Sequence, residues 1–118
     1  MTIIIGIQAL AAGLGLYSLV LLLRKARDQV IVAFHLLAGF GAIEMLTGII
    51  HMSELDADSP VRALGMTALK LFGVAAVAGV LTPFVARGRR QLTNLLLTVH
   101  VSFALLAFFT TLMFVQQV

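Results

Sequence analysis

The chain has 118 residues, 61% of them hydrophobic, with only 11% charged and no cysteine. At a mean hydropathy of +1.11 too little polar surface remains to coat a soluble domain, and the missing cysteines exclude a disulfide framework, a thiolate metal site and a redox thiol. The formal charge of +3 reflects two short basic segments, which make no nucleic-acid-binding surface and find their natural counter-charge in anionic membrane lipids.

A bilayer core about 30 Å thick is crossed by about 20 apolar residues in helix. The sequence supplies four such stretches, 2–23, 30–52, 64–86 and 94–115. They predict one all-α integral membrane domain over residues 1–118, four transmembrane helices in an antiparallel bundle. The first stretch begins almost at Met1 and its charges follow it, so it reads as a span and not as a cleaved signal peptide. Its Gly6, Ala9 and Gly13 share a face, with Gly15 nearby, and predict close core packing against a neighbour; Gln8, Tyr17 and Ser18 are its polar residues.

Arg24, Lys25 and Arg27 form the first connection, and Asp28 is placed to cap the second span. The second connection, Ser53 to Ala63, carries Glu54, Asp56 and Asp58 against Arg62, and its Ser59-Pro60 pair predicts a helix start near Pro60. Pro83 is expected to loosen the last turns of the third span. Arg87, Arg89 and Arg90 form the third connection, and Thr93 or Asn94 is expected to start the fourth span. The two basic connections face the cytoplasm by the positive-inside rule, which puts both termini and the acidic loop outside. The expected location is a bacterial-type cytoplasmic membrane, as a multi-pass protein. Each half of the chain also has a hairpin pattern with a basic turn and a histidine soon after it, a faint parallel duplication.

His35 lies five residues past Val30, and His100 six past Asn94. On two spans running from inside to outside, that puts both imidazoles about 8–9 Å within the cytoplasmic boundary. Above His35 on the same face come Ala38, Gly39 and Ala42; above His100 come Phe103, Ala104 and Ala107, then Thr111. An imidazole followed by small residues on each of two parallel helices leaves a slot for a flat macrocycle. Membrane b-type cytochromes hold haem b by two such histidines, and the expected iron ligands are His35 and His100, with Gly39, Ala42, Ala104 and Ala107 lining the site. Arg24, Lys25, Arg27, Arg87, Arg89 and Arg90 are placed to meet the propionates or lipid headgroups. With both axial positions filled the chemistry is one-electron transfer, so an electron-transfer or accessory subunit is expected and not a stand-alone enzyme. The alternative is that both histidines are neutral residues bridging helices in a non-catalytic accessory subunit of a larger membrane complex.

Glu44 and Lys70 form a second polar set nearer the outside, level with each other if their helices are antiparallel neighbours, and a buried Glu44–Lys70 ion pair is the simplest way to hold both. Lys70 could instead snorkel toward Asp56 or Asp58. His35 and Glu44 fall on opposite sides of the second span, which predicts a homo-oligomer or association with other membrane subunits. A third reading makes Glu44 the proton site of a small transporter. Small four-span drug exporters use a membrane glutamate in this general way, but theirs lies in the first span, where this chain has no acidic residue. His51 with Glu54, Asp56 and Asp58 makes only a weak surface metal cluster, and the methionines, Met45, Met52, Met66 and Met113, read as packing.

Overall fold

The computed structural model describes residues 1–85 and 87–118 and consists of four helices: α1 Thr2–Leu23, α2 Gln29–Met52, α3 Pro60–Val85 and α4 Arg90–Val115. The expected end of the third apolar stretch, Ala86, lies outside the described residues. Each helix is long and apolar enough to cross a membrane, consistent with a multi-pass membrane protein. Apolar side chains cover the outside as well as the inside: Leu37, Leu23 and Phe84 are 70%, 76% and 78% exposed. Such a surface suits lipid and not water.

Local chemistry sets the helix ends. After α1 the chain turns through Lys25 at φ 58°, with the Ala26 amide donating to the Leu21 carbonyl (2.9 Å) and the Lys25 amide to that of Leu22 (3.0 Å). This is a Schellman closure, which satisfies carbonyls that the helix end leaves without partners. Asp28 Oδ1 then accepts from the amides of Val30 (2.9 Å) and Ile31 (3.3 Å), the expected N-terminal cap. Pro60 opens α3, as its fixed φ and missing amide favour. The turn before α4 passes through Gly88 at φ 76°.

Two local expectations are corrected. α4 starts at Arg90, ahead of Thr93, because arginine and glutamine are good helix formers and nothing interrupts the chain there; the Thr93 hydroxyl folds back onto the Arg89 carbonyl (3.1 Å) instead of capping a helix. The face of α1 that carries Gly6, Ala9 and Gly13 is exposed, and the buried face is that of Ile4 and Gln8. Pro83 is accommodated within α3, which runs on to Val85.

The chain divides into two compact units, Met1–Leu46 and Thr47–Val118, with the division falling inside α2. Unit 1 contains α1 and most of α2, with Ile4, Gln8, Ala42 and Leu46 buried. Unit 2 contains the end of α2 and the α3/α4 hairpin. Its core is built from small residues of α3 (Gly65, Ala68, Ala75, Ala78) and from Ala107, Thr111 and Phe114 of α4. A Cβ on Gly65 would stand 2.9 Å from the Phe114 ring and 3.0 Å from Ile50, so the missing side chain is what lets these elements approach.

Candidate functional site

In unit 1 the His35 imidazole is half-buried and its Nδ1 lies 2.8 Å from the Ala11 carbonyl of α1. In unit 2 the half-buried His100 places Nδ1 2.7 Å from the Ala75 carbonyl of α3. A carbonyl oxygen only accepts, so in both rings Nδ1 is the donor, which in a neutral ring leaves the lone pair on Nε2.

A helix carbonyl is normally shielded by the side chain one turn further on. Here that position is glycine in both units. A Cβ on Gly15 would come within 2.8 Å of Cε1 and 3.1 Å of Nδ1 of His35; one on Gly79 would come within 2.7 Å of Nδ1 and 2.9 Å of Cε1 of His100. The seat is thus an alanine carbonyl, a glycine four residues later, and a histidine from the next helix lying on that glycine.

This geometry turns a faint sequence repeat into a structural one. A shift of 64 residues carries Ala11 and Gly15 onto Ala75 and Gly79, and a shift of 65 carries His35 and Ala42 onto His100 and Ala107. Ala42 and Ala107 are both fully buried, while Gly39 and Ala104 are half-buried. A Cβ on Gly39, one turn above His35, would meet nothing within 4 Å. The seat's helix partners, Ala11, Gly15, Ala75 and Gly79, escaped sequence reasoning; the signal for them is the alanine–glycine spacing of four, repeated at nearly constant distance before each histidine.

The polar atoms around the two seats differ. Gln8 is 3% exposed, and neither its amide nitrogen nor its oxygen has a hydrogen-bond partner; the Ser18 hydroxyl, also buried, is in the same condition. In unit 2 the hydroxyls of Thr82 and Thr111 donate to the carbonyls of Ala78 (2.7 Å) and Ala107 (2.9 Å).

Glu44 in unit 1 and Lys70 in unit 2 are each exposed. His51, Glu54, Asp56 and Asp58 are also exposed, and no group of three or more histidine or acidic side chains placed to hold a metal ion occurs among the described residues. All six basic turn residues, Arg24, Lys25, Arg27, Arg87, Arg89 and Arg90, are exposed at the helix ends nearer the histidines. Comparison of the chain with protein-family models, with curated proteins and with solved structures gives no match.

Proposed function

We propose that the protein is a small membrane subunit that binds haem b through Nε2 of His35 and of His100 and serves one-electron transfer. The observation that carries this reading is the duplicated seat. Metal-binding histidines characteristically donate their other ring N–H to a carbonyl or carboxylate, which fixes the tautomer, orients the ring and raises the basicity of the ligating nitrogen. His35 and His100 each have such a bond to a backbone carbonyl. The donor set fits iron, since neutral imidazole is a ligand of haem, and haem b supplies a reversible one-electron couple when bound. In this reading the glycine contacts hold each ring in place. The open space beside Gly39 suits a macrocycle edge, and the basic turns counter its propionates or lipid headgroups. The four helices form an antiparallel bundle with the basic turns on the cytoplasmic side and both termini outside, as a multi-pass protein of a bacterial-type cytoplasmic membrane.

An absorption spectrum of the purified protein tests the proposal. A Soret band that His35→Ala and His100→Ala each abolish, while both variants keep their helical circular dichroism, is the expected result. A colourless protein after expression with ample haem overturns it.

A second reading is favoured by the same bonds taken alone: each histidine staples two helices, and the protein is a non-catalytic accessory subunit. It predicts a colourless protein in which either histidine variant loses thermal stability.

A further inference from the structure

We propose that the chain self-associates through its own charges, Glu44 on α2 of one copy pairing with Lys70 on α3 of a second. Both side chains are exposed, yet each sits well inside an apolar helix. Glu44 is eight residues from the Met52 end of α2 and Lys70 ten from the Pro60 end of α3, ends that flank the same loop. At 1.5 Å per residue the two charges lie about 12 Å and 15 Å from that loop, within reach of each other given the length of a lysine. Opposite charges held at that depth against lipid are costly, and each is what the other lacks.

The glycines around them argue for a helix as the occupant. A Cβ on Gly41, Gly48 or Gly73 would meet nothing within 4 Å, so the backbone is open on both charged faces. In the proposed topology α2 and α3 cross the membrane in opposite senses, so α2 of one copy and α3 of another inserted the same way are antiparallel. Place Glu44 opposite Lys70 in that arrangement, and Gly41 falls opposite Gly73 and Gly48 opposite Met66. One register therefore pairs the charges and brings two open glycines together, which lets helix backbones approach closely. A lipid acyl chain offers neither complement.

The chemistry calls for two charge-reversed chains. Glu44→Lys alone sets lysine against lysine between copies, and Lys70→Glu alone sets carboxylate against carboxylate. A mixture of the two reversed chains restores an opposite pair at every contact between unlike copies, whereas a pair made within one chain stays mismatched in both. The expected result, read by native mass spectrometry from lipid nanodiscs with the two chains differently tagged, is an oligomer for the natural chain. Each reversed chain alone should associate about ten-fold or more weakly, with mixed oligomers recovered on combining them. Because the chain has no cysteine of its own, Gly41→Cys and Gly73→Cys on separately tagged copies give an independent readout that keeps the natural charges: a disulfide should join the two tags. A monomeric natural chain overturns the proposal. So does rescue that occurs only when both reversals share one chain, or a Gly41→Cys, Gly73→Cys pair that never links the tags.

Discussion

Unit 1 and unit 2 contain the same histidine seat but treat their other buried polar groups differently. The hydroxyls of Thr82 and Thr111 are satisfied by carbonyls four residues earlier in their own helices. In unit 1 the buried side-chain polar atoms of Gln8 and Ser18, both on α1, have no partner. Position 72, the counterpart of Gln8 under the 64-residue shift, is phenylalanine. A threonine carries its own solution inside an apolar helix, because its hydroxyl reaches the preceding turn. A glutamine does not, since its amide projects two carbons further and needs both an acceptor and a donor from outside. The two units therefore agree in what seats the imidazole, while among the described residues the buried side-chain polar atoms without partners lie in unit 1.

The largest effect is expected where the two units agree. Gly15→Ala and Gly79→Ala each drive a methyl to within 2.8 Å and 2.7 Å of an imidazole ring, a ring that is itself held by a hydrogen bond to a helix carbonyl. Each substitution should cost about 1–3 kcal/mol through overpacking and the displaced hydrogen bond. Gly13→Ala, where a Cβ meets nothing within 4 Å, should be neutral or stabilising by helix propensity. Unfolding midpoints in detergent measure all three. Equal losses at positions 15 and 79 confirm one seat used twice, and a loss at only one of them breaks the equivalence.

Where the units differ, exchange is the sharper tool. Gln8→Leu removes two buried polar atoms without partners and should raise stability by about 1–2 kcal/mol, whereas Phe72→Gln should lower it by about as much or more. Both are read from the same unfolding curves. A stability loss in Gln8→Leu would mean that the amide is engaged by a bound water or other guest, and would make unit 1 the half that accommodates it.

The contrast between the units also marks how far sequence could reach. Four helices, the Asp28 cap and the Pro60 start follow from composition, apolar length and cap chemistry, which act within a few residues. The start of α4 differs from the expectation because apolar length does not mark the helix boundary, and Arg90 to Thr93 extend the helix beyond the apolar stretch. The Gly6, Ala9, Gly13 face of α1 is exposed where close packing is expected, because small residues allow such packing without requiring it. His35 and His100 stood out as polar residues in apolar spans. Their partners did not, since the acceptors are backbone carbonyls, which every residue has, and only the glycine one turn later marks which carbonyl is open.

The smallest expected effect again compares two equivalent places, the basic turns. Lys25 and Gly88 both hold a left-handed backbone, at φ 58° and 76°, but only glycine, which has no Cβ to crowd the backbone, adopts it without strain. Lys25→Gly should therefore stabilise unit 1 by up to about 1 kcal/mol, and Gly88→Ala should destabilise unit 2 by about 1 kcal/mol. The proposed topology, with this turn on the cytoplasmic side against anionic headgroups, gives the charge of Lys25 a second use that would offset the strain. Unfolding midpoints measured in zwitterionic and in anionic lipid separate the two contributions. Lys25→Gly should gain in zwitterionic lipid and lose part of that gain in anionic lipid, while Gly88→Ala, which changes no charge, should lose equally in both.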